Sequence, residues 1–320
     1  MRAIVVRELG GPEAMVLAEH SDPVAAPGQV LVQVAAAGVN FIDIYRRSGV
    51  YPQPLPYVPG SEGAGTVLAV GEGVTEYSAG DHVAWAEGPG SYAEQVAVDA
   101  RQAVPVPGGV DLKVAAAAML QGLTAHYLCH STYPLSEGTV AVVHAAAGGV
   151  GLLLTQMIKS LGGTVIATTS STGKAALAKQ AGADFVTTYE DFPGVVREAT
   201  GDRGADVVFD GVGKDTFDAS LSALRPRGMM VLFGGSSGQV PPFNPQRLNS
   251  GGSLFLTRPT LGHYVADRAE LLWRSGDLFR WIARGELNVR VGAEYALADA
   301  PGAHEDLAGR RTTGKVILVP

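Results

Sequence analysis

The first third of the chain alternates short apolar runs with turn residues. Val30-Leu31-Val32-Gln33-Val34 and Gly65-Thr66-Val67-Leu68-Ala69-Val70 are rich in β-formers, and Met1 to Glu8 reads as a short opening strand. Gly10-Gly11-Pro12, Pro27-Gly28, Pro59-Gly60, Gly71-Glu72-Gly73, Gly88-Pro89-Gly90 and Pro107-Gly108-Gly109 punctuate this region. Many short strands between Gly/Pro turns predict a compact β barrel up to about residue 110.

The pattern then changes. Lys113 to Cys129 is Ala/Leu-rich and helical in character. Val140 to Val143, Thr164 to Thr168, Ala205 to Phe209 and Met229 to Phe233 read as strands. Between them, Leu152 to Leu161, Gly173 to Ala181 and Thr216 to Leu224 read as helices. This alternation predicts an α/β unit with a doubly wound parallel sheet. Ser253 to Thr257 reads as its last strand. Asp267 to Arg284 is expected to be helical, and Lys315 to Val319 a closing strand that returns to the first domain. The expected domains are 1–122, 123–260 and a return segment, 261–320. Thr139 to Ile158 carries no formal charge and is long enough to cross a bilayer. Gly148, Gly149, Gly151 and His144 interrupt it, so strand, turn and helix describe it better.

Composition narrows the function. The chain has 320 residues, 46% apolar and 17% charged, which suits a folded protein of two domains. The net charge of -7 and the lack of any Lys/Arg run argue against nucleic acid or an anionic membrane as partner. A single cysteine, Cys129, excludes an internal disulfide and a multi-thiolate zinc site, and fits a reducing cytoplasm. The N-terminus lacks the pattern of a signal peptide. His20, His82, His126, His130, His263 and His304 show no metal-ligand spacing and read as structural or solvated.

The strongest local signal is His144-Ala145-Ala146-Ala147-Gly148-Gly149-Val150-Gly151, placed after a strand and opening a helix. Glycine at 148 lets a pyrophosphate approach the backbone, and glycine at 151 lets the helix pack on the strand. The first N–H groups of the helix then face the negative charge. Ala146 replaces the first glycine of the usual fingerprint.

About twenty residues on, an NAD site usually carries Asp or Glu for the ribose hydroxyl. Here the segment is Ala167-Thr168-Thr169-Ser170-Ser171-Thr172-Gly173-Lys174. Hydroxyls and an ammonium accept a 2′-phosphate that a carboxylate would repel. Ser170, Ser171 and Lys174 are therefore candidate phosphate binders and NADPH is the expected cofactor. The alternative is that the serines cap a helix and Lys174 is solvated.

Several motifs now coincide: Asn40 to Gly49, Pro59 to Gly65, Met119-Leu120-Gln121-Gly122-Leu123-Thr124-Ala125, the Ala146 to Gly151 turn, and Thr257-Arg258-Pro259. Together they resemble the quinone oxidoreductases of the zeta-crystallin type, in the medium-chain dehydrogenase/reductase superfamily, over essentially the whole chain. The resemblance implies a Rossmann domain inserted in a GroES-like β-barrel domain, NADPH in the cleft between them, and a homodimer. It places Asn40 and Tyr45 near the nicotinamide and substrate, and Gln121 and Thr124 at the cofactor. It puts Ala147, Gly148, Gly149 and Val150 on the pyrophosphate, in the cofactor turn that Gly151 closes, and Lys174 and Tyr189 near the adenosine phosphate beside Ser170 and Ser171. Phe233, Gly234, Ser236 and Arg258 complete the implied cofactor set. Zinc-dependent cousins carry Cys at the position of Asn40 and His at that of Ser61, so both ligands are missing. Relatives often have Lys where this chain has Gln121.

The implied activity is metal-free reduction of a quinone by NADPH. Asn40 and Tyr45 would donate hydrogen bonds to the developing oxyanion. Asn40 can equally be read as a helix N-cap with Asp43, and Tyr45 as a barrel-edge aromatic. An NADPH-dependent enal or enone C=C reductase is the alternative within the same scaffold. A non-enzymatic lens-type role is weighed against by the presence of the cofactor motifs. Gly234-Gly235-Ser236-Ser237-Gly238, with Asp277 and His304, matches a hydrolase pattern, but Pro241, Pro242 and Pro245 forbid the helix that must follow. Ser253 to Thr257 is a candidate edge strand for pairing with a second subunit.

Overall fold

The computed structural model describes all 320 residues. The chain forms two compact units, Met1–Leu123 with Tyr264–Pro320, and Thr124–His263.

In the first unit the organising strand is Gln29–Val39. It pairs antiparallel with Glu62–Val70, with Gln95–Asp99 and with Lys315–Val319. The sheet runs Val291–Ala296, Lys315–Val319, Gln29–Val39, Glu62–Val70, His82–Trp85, Ala103–Pro105. Its pairing with Glu62–Val70 is broken by two bulges, one that leaves out Leu68 on the partner strand and one that leaves out Ala35 on Gln29–Val39 itself. The core under it is Val30, Val32, Val34, Val67, Val83, Trp85, Tyr92 and Val316. The short helix Phe41–Arg47 begins directly where this strand ends. The C-terminal strand thus contributes to the same sheet as the N-terminal ones, which makes the first unit discontinuous in sequence.

In the second unit six parallel strands follow the order Phe185–Thr187, Thr164–Thr168, Val140–Val143, Ala205–Asp210, Leu224–Leu232, Phe255–Thr257. In chain order this is 3-2-1-4-5-6, the Rossmann arrangement, with its switch point between Val140–Val143 and Ala205–Asp210. Both of these strands are buried at every position, as central parallel strands covered on both faces must be. The uncharged stretch 139–158 is strand, turn and the start of the helix Gly149–Ser160. No helix is long and apolar enough to cross a membrane.

Several elements differ from the sequence pattern. The helix expected over Thr216 to Leu224 is only Phe217–Ser222, and the next strand starts at Leu224. Leu224 pairs with Ala205 and Met229 with Val207, so Pro226, Arg227 and Gly228 bulge out between them. Arg227 adopts φ 62 and Pro226 offers no N–H, which hides the early strand from a pattern search. The last strand is Phe255–Thr257, because Ser253 sits at φ 57. The helix expected from Lys113 is regular over Leu112–Tyr127 and then widens into a π turn at Leu128–Thr132. Phe185–Thr187, Val291–Ala296 and the helices Phe192–Thr200 and Ala300–Ala308 carried no decisive signal.

Phe209 is fully buried at the sheet centre. Phe209→Ala is expected to cost about 3–5 kcal/mol in denaturant unfolding, because the sheet backbone cannot collapse into the void. A loss below 1 kcal/mol, on the same scale, would contradict this packing.

Candidate active site

In the first unit the chemistry gathers where Gln29–Val39 passes into Phe41–Arg47. Asn40 is the N-cap of that helix and forms a capping box with Asp43. Its backbone N–H donates to Asp43 Oδ2 at 2.9 Å. Its carboxamide reaches two further partners. Oδ1 accepts from Lys315 Nζ at 2.7 Å, and Nδ2 donates to Glu62 Oε1 at 2.7 Å. A longer Nδ2 contact, 3.4 Å, reaches Gly38 O. Lys315 also pairs directly with Glu62, and both side chains are buried. The second oxygen of Glu62 accepts the backbone N–H of Leu120 at 2.6 Å. A side chain at Gly38 would overlap the Glu62 carboxylate, so glycine is required there.

Asp43 anchors a second buried cluster. Its Oδ1 accepts from Ser61 Oγ at 3.1 Å, and its Oδ2 accepts from Tyr92 OH at 3.1 Å. Arg46 Nη1 donates to Ser61 Oγ at 2.8 Å. Burial pushes the Asp43 carboxyl up to about 6, against the opposing pull of the Asn40 N–H, Lys315 and Arg46. Tyr92 OH also lies 3.0 Å from His304 Nε2. The single phenolic proton goes to Asp43, so His304 Nε2 carries the proton of that bond. Burial lowers His304 to about 3 and keeps it neutral.

Tyr45 lies on the same short helix. Its ring is 6.1 Å from Phe41 and meets Tyr51 edge-on at 5.6 Å. Gln121 is buried on Leu112–Tyr127, one residue beyond the N–H that Glu62 holds. Thr124, also buried, begins the second unit.

In the second unit the glycine turn leaves the strand Val140–Val143 at its C-terminal end. Ala145 takes φ 50, Ala146 N–H donates to Thr168 O at 3.1 Å, and Gly148 N–H to Ala145 O at 2.9 Å. Gly148 caps Gly149–Ser160 without a side chain, which leaves the first-turn N–H groups open to an anion. A Cβ at Gly151 would sit 2.5 Å from Ala145 O and 2.6 Å from Ala146 Cα, so packing demands glycine. A Cβ at Gly148 would meet only Ala145 O, at 3.2 Å. The chain's own packing therefore presses less on 148 than on 151, as expected where a ligand approaches. Ala147 and Val150 lie in the same turn.

Ser170 and Ser171 are exposed just past the strand Thr164–Thr168. Ser171 caps Thr172–Gln180, its Oγ accepting from Lys174 N–H at 3.4 Å. No carboxylate stands between Ala167 and Lys174. Phe233 and Gly234 N–H both donate to Asp210 O, and Ser236 N–H to Gly211 O. This lays 233–236 over the end of Ala205–Asp210. Arg258 is exposed beyond Phe255–Thr257. No helix follows Ser236 directly, so the hydrolase pattern lacks its elbow.

Sequence reasoning missed the network beneath these loops. His144 Nδ1 is 2.8 Å from Thr168 Oγ1, and Nε2 is 2.9 Å from Ser220 Oγ. Ser220 donates to Asp210 Oδ2, so His144 Nε2 donates to Ser220 and Nδ1 accepts from Thr168. Burial lowers the His144 pKa and keeps the ring neutral. Its ring also lies 5.9 Å from that of Tyr189. Asp210 Oδ1 accepts from the N–H of Val212 and Gly213. Glu62 and Lys315 were missed as well. Their signal was a charge inside an otherwise apolar strand, Glu62-Gly63-Ala64-Gly65 and Lys315-Val316-Ile317-Leu318.

Residues 26–108 match the alcohol dehydrogenase GroES-like domain, and residues 149–267 match the zinc-binding dehydrogenase family. A quinone oxidoreductase of Pseudomonas aeruginosa is 45% identical, with 97% of each chain covered. The chain belongs to the quinone oxidoreductase family of the medium-chain dehydrogenase/reductases. Escherichia coli quinone oxidoreductase 1 is 43% identical over 97% of each chain. A 2-haloacrylate reductase of a Burkholderia species is 40% identical, covering 99% of this chain and 98% of its own. Among solved structures, a mycobacterial protein complexed with NADPH matches at TM-score 0.98 with 49% identity, and covers 100% of both chains. The Escherichia coli quinone oxidoreductase complexed with NADPH matches at TM-score 0.98 with 41% identity, again over 100% of both chains. The fold expected for this family, a Rossmann unit inserted in a GroES-like domain, is the one found. In this family member no group of three or more His, Cys, Asp or Glu side chains is arranged to hold a metal ion.

Asp43 sets a pH dependence whose sign follows from its raised pKa. Between the ordinary value of 3.8 and about 6, the folded chain binds a proton that the unfolded chain does not. The penalty for burying its charge is therefore fully present above pH 6 and fades as pH falls toward 4. A carbon-resolved carboxyl titration, assigned by loss of the signal in Asp43→Asn, is expected to show a midpoint near 6. A midpoint near 4 would mean that the hydrogen bonds outweigh burial.

Proposed function

We propose that this chain is an NADPH-dependent quinone reductase that transfers hydride to a quinone without a metal. The observation that carries the reading is the pairing of two features in the Rossmann unit. A side-chain-free helix start follows Val140–Val143, and a carboxylate-free, hydroxyl-bearing segment with Lys174 follows Thr164–Thr168. The NADPH-complexed relatives support the same cofactor.

NADPH, when bound, supplies the hydride. Ala147, Gly148, Gly149, Val150 and Gly151 hold its pyrophosphate through backbone N–H groups and the helix dipole. Ser170, Ser171, Lys174 and Tyr189 take the adenosine phosphate. Lys174 supplies charge, and the serines supply hydroxyl donors. Phe233, Gly234, Ser236 and Arg258 border the rest of the dinucleotide, with Gln121 and Thr124 from the helix Leu112–Tyr127. Asn40 and Tyr45 donate to the acceptor oxygen as negative charge develops there. One Asn40 N–H is committed to Glu62, so the second, held only by a 3.4 Å contact, is the available donor. Reduction adds hydride from NADPH and one proton from solvent, and yields hydroquinone and the oxidised dinucleotide.

Reduction of an electron-poor C=C bond is the second reading. It is favoured by the 2-haloacrylate reductase relative and requires the same hydride donor and oxyanion donors. The assembly we propose is a homodimer. The edge strand Phe255–Thr257 leaves Phe255 55% exposed, and pairing with a second copy would cover it. The cytoplasm is the proposed compartment, in keeping with a single, buried cysteine that can form no internal disulfide.

Absorbance at about 340 nm, which falls as the reduced nicotinamide is oxidised, follows turnover with NADPH or NADH and three acceptors: a simple benzoquinone, a polycyclic ortho-quinone and an α,β-unsaturated aldehyde. Faster oxidation of NADPH with a quinone is expected. Preference for the aldehyde would replace the substrate, and preference for NADH would refute the phosphate site. Lys174→Glu is expected to lower kcat/KM for NADPH by roughly tenfold or more and to affect NADH much less. Phe255→Glu is expected to halve the native mass in light scattering; an unchanged mass would place the interface elsewhere.

A further inference from the structure

The Asn40 carboxamide has two orientations of nearly equal shape, and only its partners choose between them. Lys315 Nζ, a pure donor, faces one end at 2.7 Å. The Glu62 carboxylate, an acceptor, faces the other at 2.7 Å. A flipped amide would set N–H₂ against an ammonium and C=O against a carboxylate. Two charge-assisted bonds would be lost in a buried site, where each is worth more than in water. The donation from Lys315 to Oδ1 also draws electron density from the amide nitrogen, which strengthens the remaining N–H as a donor. The same Glu62 carboxylate holds Leu120 N–H at 2.6 Å, and so fixes the helical turn that carries Gln121.

We infer that Glu62 and Lys315 form a positioning pair that orients and polarises the Asn40 carboxamide for reduction of the acceptor. This rests on the role given to Asn40 in the proposed function. Val316, Ile317 and Leu318 bury the same strand through apolar side chains, so its packing does not rest on the charged pair alone. Buried pairs of this kind are often replaceable by apolar residues without loss of stability, whereas removal of one partner strands a charge. The two charges cancel, so they can be removed together.

The test compares Asn40→Ala, the double variant Glu62→Gln/Lys315→Met, and the triple variant, each as the full chain. The measurements are unfolding temperature, NADPH affinity by fluorescence, kcat and KM with a simple benzoquinone, and the isotope effect on kcat with hydride-deuterated NADPH. The double variant is expected to bind NADPH within about twofold of the native chain and to lose on the order of tenfold or more in kcat, with a larger isotope effect. The triple variant is expected to be no slower than Asn40→Ala, because the pair acts through Asn40. Native kcat in the double variant, or losses that multiply in the triple, would overturn the inference. The side-chain amide resonance of Asn40 gives a readout that needs no turnover. A shift in the double variant supports positioning, and an unmoved resonance overturns it even if the native chain reduces none of the quinones, a result that would itself count against the proposed function. If the double variant fails to fold, Lys315→Arg keeps the charge but changes its geometry, and the same amide shift is read there.

Discussion

A carboxylate shut away from water must receive its hydrogen bonds from the chain, and Glu62 receives them from three segments far apart in sequence. The Lys315 ammonium comes from the closing strand, the Asn40 amide from the end of Gln29–Val39, and the Leu120 N–H from the helix Leu112–Tyr127. Each partner is useful only if the other two are in register. The chain's last strand is thereby tied to Asn40, the residue proposed to act on the substrate. An apolar contact in the same place would hold the strands together without fixing the direction of any donor, because hydrophobic attraction has no angle dependence.

The Rossmann unit solves the same problem with a neutral ring in place of a cation. Asp210 sits at the C-terminal end of a central strand, where the carboxylate takes two backbone N–H groups and two hydroxyls. Ser220 passes the bonding on to His144, and His144 passes it to Thr168. Three strand ends and the helix Phe217–Ser222 are pinned by polar contacts just below the loops that would hold the dinucleotide. Burial keeps His144 neutral, so the network adds no cation of its own beneath the phosphates. In the proposed site the positive charge comes from the helix dipole and Lys174.

In both units the functional loops stand on buried polar floors, and glycine appears where those floors leave no room. Gly38 gives way to the Glu62 carboxylate, and Gly151 to the backbone of Ala145 and Ala146. Gly148 is different. A Cβ there would meet Ala145 O at 3.2 Å, a milder clash than at Gly151, which suits the pyrophosphate role proposed for this turn. Asn40 and Ser61 belong to two hydrogen-bonded clusters, one built around Lys315 and Glu62 and the other around Asp43 and Arg46.

The sequence by itself determined the α/β unit, its glycine turn and the carboxylate-free segment after the second strand. Each is local: a strand, turn and helix declare themselves within a dozen residues through periodicity and glycine spacing. It also offered Asn40 as a helix cap with Asp43, since a capping box lies within four consecutive residues. Short elements escaped it. The start of Leu224–Leu232 was hidden by Pro226 and Gly228, and Phe185–Thr187 is too short to show a period. Only the tertiary structure decided which way the Asn40 carboxamide turns and that Lys315, 275 residues away, sets it. It likewise decided that His144 is a neutral brace between Thr168 and Ser220. Sequence patterns record which residues are apolar and how they repeat. They do not record which polar atoms, buried together by distant segments, must satisfy one another, and the direction of each donor in this site was fixed by that requirement.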